Sequence, residues 1–281
     1  MTQVTNPTTP ASSTPNPQGG LNVQGTSGDN RLNGSSASDN IQTFGGSDVI
    51  SAGSGNDTVN SGAGGDNVTA GSGNDVVRLG KGNDIVDGGD GEDSLKGDIG
   101  NDAVAGGAGN DTVFGDDGND TVAGGSGNDM VMGGMGNDVL SGDDGNDTLR
   151  GGKGSDTING GSGNDLIYGD MGSDLLTGGA GNDTFAFTTG NEGTDTITDF
   201  SVTDDKIWLK STGFTGLGSS FDASELVVVD NFNVSAPGST ANKVIYDKTT
   251  GLLYYNTGNG VQTLAQMSSG LSLTSSNFEL F

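Results

Sequence analysis

The chain of 281 residues contains no cysteine and no histidine. The absence of cysteine excludes disulfide bonds and thiol catalysis, and the absence of both residue types removes the usual zinc ligands. Without histidine the chain also lacks the commonest general base of enzymes. Paired carboxylates for glycoside hydrolysis remain chemically available, but the periodic aspartates described below are better explained as metal ligands. We therefore expect that the protein is not an enzyme.

Basic residues and long apolar runs are scarce as well. Ten Lys and Arg stand against 37 Asp and Glu, which gives a formal net charge of −27. So acidic a chain repels phosphate, and nucleic acid is not an expected partner. No apolar run is long enough to span a membrane, and no basic start followed by an apolar stretch predicts a cleavable secretory signal.

Glycine is abundant, and much of it lies in a nine-residue repeat that occurs eighteen times from residue 25 to 186 without insertion or deletion. The unit reads Gly-Gly-x-Gly-Asn-Asp-x-aliphatic-x, as in residues 106–114. The eighth position is apolar in every copy, and the sixth is aspartate in seventeen copies, from Asp39 to Asp183. Each copy predicts a strand of about three residues with one inward side chain, followed by a glycine-rich turn. Two copies then form one coil of an all-β, parallel β-roll with two sheets.

The aspartates indicate what holds such a coil together. One aliphatic side chain in nine residues buries too little apolar surface to offset the conformational entropy of ordering the chain. Aspartates eighteen residues apart would stack about 4.8 Å from one another, where carboxylates repel. A hard divalent cation with six to eight oxygen ligands removes that repulsion, and Ca²⁺ suits flexible carbonyl and carboxylate sites better than Mg²⁺. Acidity that served only solubility would not require one aspartate in every nine residues.

Residues 25–186 resemble the β-roll of the RTX (repeats-in-toxin) proteins, because the repeat unit matches the nonapeptide of that family. The resemblance implies several Ca²⁺ ions, each between copies n and n+2 and bound by sixth-position aspartates and turn carbonyls. The first copies depart from the pattern, because Ser35, Ser36 and Ala37 precede Asp39 and Thr43 and Phe44 precede Asp48. The ligands that the resemblance implies are Asp57, Asp66, Asp75, Asp84, Asp93, Asp102, Asp111, Asp120, Asp129, Asp138, Asp147, Asp156, Asp165, Asp174 and Asp183.

The segments on either side of the repeat differ in composition. Residues 1–24 hold four of the five prolines and no charged residue, which predicts a disordered Pro/Thr-rich arm. Alternatively, this arm pairs with the sheet edge of a neighbouring molecule. After residue 186 the period stops, and residues 187–281 are predicted to form a β-rich cap over the open end of the roll. Strand patterns around it are Thr184–Phe187, 195–200, Lys206–Leu209, Leu226–Val229, 243–246 and 252–255.

The C-terminal block, from Asp195 to the acidic and apolar ending at Phe281, is similar to that of RTX proteins. That similarity implies an uncleaved signal for the type I secretion machinery. Asp195, Asp199 and Asp205 are candidates for one further ion.

The ninth position distinguishes the two sheets. Odd copies carry small residues there, which predicts a flat face, and even copies carry large ones, which predicts a bulky face. These positions are either ordinary solvent-facing residues, or one of the two faces contacts a neighbour or a polysaccharide. The third position of odd copies includes Ile99, Met135 and Met171, for which the sequence offers no explanation. The large residues are Gln42, Asn60, Arg78, Lys96, Phe114, Met132, Arg150 and Tyr168.

Two functions are compatible with these features. The first is a secreted, extracellular calcium-binding structural or interaction protein of the bacterial cell surface, surface layer or biofilm matrix, which folds on Ca²⁺ after type I export. Its further partners would be itself or a surface polysaccharide. The second is a non-catalytic polysaccharide-binding or accessory module of an extracellular enzyme system. An arm, roll and secretion block without another domain favour the first. The sequence names neither ligand, host nor assembly symmetry.

Overall fold

The computed structural model describes residues 12–190, 192–237 and 240–281, and within these ranges the only helical segment is a short 3-10 helix, Ser275–Asn277. The chain forms two compact units, Met1–Thr148 (unit 1) and Leu149–Phe281 (unit 2). In each unit successive strands alternate between two sheets, and most strand pairs are parallel. The predicted all-β parallel β-roll is confirmed.

The described part of unit 1 contains fifteen strands. Even-numbered strands form one sheet, in which β1 also lies at the edge, and the remaining odd-numbered strands form the other. Their bounds are β1 (Ser12–Pro15), β2 (Leu21–Gln24), β3 (Arg31–Ser35), β4 (Asn40–Gln42), β5 (Val49–Ser54), β6 (Thr58–Asn60), β7 (Asn67–Ser72), β8 (Val76–Lys81), β9 (Ile85–Asp90), β10 (Ser94–Ile99), β11 (Ala103–Ala108), β12 (Thr112–Asp117), β13 (Thr121–Ser126), β14 (Met130–Met135) and β15 (Val139–Asp144).

Most strands of the roll are six residues long, so the predicted length of about three was wrong. Each joins positions seven to nine of one copy to positions one to three of the next, as in β12. Val113 and Gly115 face inward in that strand, which shows that the first position also faces the core. The sequence contained a signal for this second inward row, since Ala52, Ala70 and Leu79 occupy the first position and are fully buried.

The turns depend on glycine for close contact between coils. Gly107 and Gly109, at positions two and four, have φ of 112° and 139°. A Cβ on Gly109 would lie 1.8 Å from the carbonyl oxygen of Gly91 in the preceding coil. At position four only glycine meets both the backbone conformation and the separation of the coils, whereas position two also accepts aspartate, as at Asp98 and Asp116 with φ of 69° and 74°.

The N-terminal end differs from the expected disordered arm. Val23 of β2 pairs in register with Ile41 and is buried, so it extends the inward apolar row by one coil. β1 then folds back and pairs antiparallel with β2 of the same chain. Residues 12–24 are therefore β-structure, whereas residues 1–11 of the predicted arm lie outside the described residues.

Unit 2 continues the alternation and then changes to an antiparallel meander. β24 and β25 form an antiparallel hairpin, and β26 pairs antiparallel with β25. Residues 187–281 are β-rich, as predicted. The strands are β16 (Thr148–Lys153), β17 (Thr157–Ser162), β18 (Leu166–Met171), β19 (Leu175–Ala180), β20 (Thr184–Phe187), β21 (Asp195–Ile197), β22 (Lys206–Leu209), β23 (Leu226–Val229), β24 (Lys243–Asp247), β25 (Leu252–Asn256), β26 (Val261–Gln266) and β27 (Phe278–Leu280).

Candidate metal sites in the turns

The sixth-position aspartates are buried although they carry the charge of the repeat. From Asp39 to Asp183 each is only 1 to 3% exposed. A buried carboxylate is costly unless hydrogen bonds or a cation compensate it. The environment of its two oxygens therefore decides what the turn can bind.

One oxygen of each carboxylate is held by the preceding coil. The backbone N–H of Asp93 donates to Oδ1 of Asp111 at 2.8 Å, and that of Asp111 donates to Oδ1 of Asp129 at 2.7 Å. The other turn column has the same pattern, with Asp84 N–H donating to Asp102 Oδ1 at 2.8 Å. Each hydrogen bond spans eighteen residues, so it fixes the carboxylates one coil apart.

The other oxygen accepts no hydrogen bond in ten consecutive copies of unit 1. These Oδ2 atoms are buried and without a donor among the residues that the structure describes. Burying an acceptor without a partner costs about 1 to 3 kcal/mol, and more for a charged group. When these carboxylates are ionised, such a row of oxygens requires a cation. They belong to Asp48, Asp57, Asp66, Asp75, Asp84, Asp93, Asp102, Asp111, Asp120 and Asp129.

A carbonyl oxygen converges with this carboxylate oxygen beside the first glycine of the copy. A Cβ on Gly106 would lie 2.5 Å from Oδ2 of Asp111 and 2.4 Å from the carbonyl oxygen of Gly124 in the next coil. The missing Cβ thus leaves a space lined by two hard oxygen donors, which are the donors that Ca²⁺ prefers. The same arrangement recurs at Gly88, Gly97, Gly115, Gly151 and Gly160.

No cluster of three or more His, Cys, Asp or Glu side chains with metal-binding geometry occurs in residues 12–190, 192–237 and 240–281. The oxygens that a turn offers are one column carboxylate per coil and backbone carbonyls. This composition fits a hard cation and does not fit zinc or another metal that prefers nitrogen or sulfur.

Comparison with known families identifies the repeat. The model of the RTX calcium-binding nonapeptide repeat (4 copies) matches residues 24–59, 60–95, 96–131, 132–167 and 150–185, which together make up more than half of the chain. The chain belongs to this RTX family. Its repeats bind Ca²⁺ at multiple sites, as the buried carboxylates and the converging carbonyls require.

Other comparisons add little. The extracellular lipase LipA from Serratia marcescens aligns over 84% of this chain at 16% identity, with a TM-score of 0.23. The chain covers 45% of the length of that lipase, and so distant an alignment carries no argument about this chain. No curated protein matches the sequence. Among the residues described, no helix is long and apolar enough to cross a membrane.

At the N-terminal end of the RTX roll, Asp39 and Asp48 were both left out of the predicted ligands. The structure gives these two aspartates different environments. Both oxygens of Asp39 accept hydrogen bonds from the protein, including the N–H groups of Leu21 and Ser35. Asp48 instead keeps an unpaired Oδ2. Asp48 therefore resembles the later copies, whereas Asp39 is satisfied without a cation.

At the C-terminal end the structure assigns different roles to the three candidate residues of the further ion. Oδ1 of Asp195 accepts from Asp174 N–H at 3.1 Å, and Oδ1 of Asp205 accepts from Asp183 N–H at 3.0 Å. These two residues extend the aspartate columns beyond residue 186. The carboxylate of Asp199 instead accepts the N–H groups of two glycines, at 3.0 and 2.8 Å.

Burial raises the pKa of several column carboxylates in the RTX turns of unit 1. The pKa of Asp57 and of Asp102 rises from 3.8 to about 7, and that of Asp111 and of Asp120 to about 6. Desolvation is the largest cause, and the next carboxylate in the column raises the pKa further. The backbone hydrogen bond to Oδ1 lowers the pKa but does not offset the desolvation.

We expect acid to stabilise the metal-free roll and to weaken calcium binding. A raised carboxyl pKa contributes stability that is fully present below 3.8 and is lost as the pH rises through the folded-state value of about 6 to 7. Demetallated protein should therefore show more β-structure by circular dichroism at about pH 4 than at about pH 8. Calcium binding should release protons, and the affinity should fall between about pH 8 and pH 6. Greater order of the metal-free protein at the higher pH would contradict this expectation.

The ninth-position cations of the bulky face lie in pairs with aspartates. Arg78 lies 2.5 Å from Asp98, and Lys96 lies 3.7 Å from Asp116 and 4.4 Å from the ring centre of Phe114. In unit 2 Arg150 pairs with Asp170 and lies 5.0 Å from the ring centre of Tyr168. The three predicted cations of this face are thus already neutralised by second-position aspartates.

Proposed function

We propose that this chain is a secreted structural or interaction protein in which the calcium-loaded RTX roll is itself the functional product. The observation that supports this most strongly is the row of buried carboxylate oxygens without hydrogen-bond partners. The proposed ligands are the aspartates that recur at every ninth residue from Asp57 to Asp183. To these we add Asp48. Ca²⁺ would then supply the cohesion that the narrow apolar core lacks.

Calcium-dependent folding fits export through a narrow channel. At low cytosolic calcium the repulsion within each aspartate column would keep the chain unfolded, and extracellular calcium at about 10⁻⁴ to 10⁻³ M would fold it. We infer that the type I secretion machinery is its export partner and that the C-terminal block carries the signal. No catalytic activity is proposed for this chain.

We propose that the folded protein acts at the cell surface, in a surface layer or in a biofilm matrix. The flat face has small residues at the ninth position, and in β11 the outward Ala103, Ala105 and Ala108 are all small, whereas Ile85 and Val139 of the same sheet are exposed at the seventh position. Such a surface permits close packing of one copy on another. The alternative, an accessory module for acidic polysaccharide, is less well supported because the three ninth-position cations, Arg78, Lys96 and Arg150, are paired with aspartates.

Electron microscopy of the purified chain with and without Ca²⁺ tests this function. We expect ordered sheets or fibres with Ca²⁺ and none after chelation. Ala105→Lys with Ala123→Lys should abolish the order, because two ammonium groups would separate the flat faces. Phe114→Ser, on the other sheet of the same unit, is the matched control and should preserve it. Dispersed calcium-loaded monomers that are retained on an alginate column would contradict the proposal and favour the accessory module.

A further inference from the structure

The first turn of each aspartate column differs from the later turns at the second position of the copy. From the fourth copy onward in unit 1, this position is glycine or aspartate with a positive φ, such as Gly107 at 112° and Asp116 at 74°. The first two copies, which begin the two columns, carry Thr26 and Ser35 there, and neither residue has a positive φ. The backbone of these two turns therefore directs its second N–H group differently.

In both turns the second-position N–H binds the side chain at the sixth position of the same copy. The N–H of Thr26 donates to Oδ1 of Asn30 at 2.6 Å, and the N–H of Ser35 donates to Oδ2 of Asp39. From Asp48 to Asp129 the corresponding Oδ2 atoms have no donor among the described residues. The oxygen that the later turns present to a cation is thus already satisfied in the first two turns.

The third copy shows that the direction of this N–H group matters. Phe44 occupies the second position there and also lacks a positive φ. Its N–H donates to the carbonyl oxygen of Thr26 in the preceding coil, at 3.3 Å, and not to the aspartate of its own copy. Oδ2 of Asp48 accordingly remains without a donor. The change from satisfied to unsatisfied carboxylates therefore lies between the second and the third copy.

The hydroxyl groups of Thr26 and Ser35 lie inside the same two turns. Oγ1 of Thr26 donates to the fourth-position carbonyl oxygen of its copy at 3.2 Å and accepts from Nδ2 of Asn30 at 2.9 Å. Oγ of Ser35 lies 3.2 Å from the fourth-position carbonyl oxygen of its copy and 2.9 Å from Oδ1 of Asp39. Each hydroxyl thus links a turn carbonyl to the sixth-position side chain, which are the kinds of group that a hard cation would join.

The two turns differ in how closely they resemble the later metal sites. A Cβ on Gly34 would lie 2.3 Å from Oδ2 of Asp39 and 2.1 Å from a carbonyl oxygen of the next coil, as in the later turns. A Cβ on Gly25 would lie 2.7 Å from a methyl group of Thr43, and the adjoining Asn30 is uncharged. The turn of Asp39 therefore retains the oxygen donors of a site, whereas the turn of Asn30 does not.

We propose that Thr26 and Ser35 close the first turn of each column in place of a Ca²⁺ ion, so that the N-terminal end of the roll is a cap without metal. This inference rests on the proposed calcium loading of the later turns. In the cap, N–H and hydroxyl groups of the protein compensate the buried side chains. Glycine in place of Ser35 would permit a positive φ and remove the hydroxyl, which leaves the carboxylate of Asp39 to a cation.

The number of bound Ca²⁺ ions tests this cap. Native mass spectrometry of the full-length, calcium-loaded protein counts the ions that remain after free calcium is removed. We expect Ser35→Gly to bind one ion more than the native chain, with Asp39 as a new ligand. Asp39→Asn should leave the native number unchanged, because Asp39 is not a ligand there. In the Ser35→Gly background the same Asp39→Asn change should remove the additional ion.

Ser36→Gly is the matched control, because it makes the same change at the exposed next position of the same turn. It should not alter the number of ions, and circular dichroism establishes that every calcium-loaded variant is folded. Equal numbers for the native chain and Ser35→Gly, or a lower number for Asp39→Asn alone, would overturn the proposal while calcium loading itself stands. A native chain that binds no calcium would refute the proposed function, and this inference with it.

Discussion

Removal of Ca²⁺ is expected to unfold the roll. In unit 1 ten consecutive carboxylates are buried with one unpaired oxygen each, and neighbouring carboxylates of a column repel one another when no cation lies between them. At neutral pH the metal-free coil therefore carries a penalty that its single-file apolar core does not offset. Circular dichroism should show loss of the β-signal after treatment with a chelator, and recovery when Ca²⁺ is added in excess.

Two controls separate calcium binding from general screening of charge. Mg²⁺ at the same concentration should not restore the β-signal, because it demands tight octahedral geometry and retains its waters. Asp111→Asn keeps an acceptor for the N–H of Asp93 but removes the charge, and it should lower the number of bound Ca²⁺ ions. The exposed Asp90→Asn changes net charge equally and should leave that number unchanged. An unchanged melting profile in the chelator would show that metal ions do not hold this fold together.

Gly109→Ala is expected to destabilise the calcium-loaded protein by about 4 kcal/mol. This estimate combines the strain of an L-residue at φ 139° with the overpacking of a Cβ that would lie 1.8 Å from the Gly91 carbonyl oxygen. The backbones of two coils would have to separate, and the adjoining calcium site would open with them. Denaturant titration at fixed Ca²⁺ concentration measures the change in the free energy of unfolding.

Two other glycines of unit 1 divide this effect into its causes. Gly19 has a φ of 90° but open space around its Cβ position, so Gly19→Ala should cost only about 1 to 2 kcal/mol of backbone strain. Gly28 has open space and no left-handed conformation, and its substitution by alanine should be nearly neutral. Equal losses for all three variants would show that the contact between coils is not the cause.

The periodic part of the fold was predictable because each copy repeats the same local solution. The apolar residue at the eighth position of each copy and the aspartate at the sixth position were enough to predict two parallel sheets. The inward first position was missed because glycine usually occupies it and leaves no hydrophobic signal. Only Ala52, Ala70 and Leu79 are apolar there, and all three are fully buried.

The ends of the roll were less predictable because the motif changes while the backbone register continues. Val23 lies eighteen residues before Ile41, but Leu21 stands where an aspartate would identify the copy. Asp195 follows a three-residue insertion, after which Gly190, Gly193 and Ile197 fit the repeat again. The ion pairs of the bulky face, such as Arg78 with Asp98, join residues that are twenty positions apart in the sequence. They could be predicted only if the strand register were already known.

The alternation of copies between two sheets sets the step by which such a protein can lengthen during evolution. Duplication of eighteen residues would add one coil and leave every downstream side chain on its original sheet. Duplication of only nine would keep the apolar and aspartate columns intact but would exchange the two faces beyond the insertion point. The aromatic and methionine residues would then move to the side now formed by alanine and serine. Gene changes in multiples of a whole coil are therefore the ones that preserve the surface.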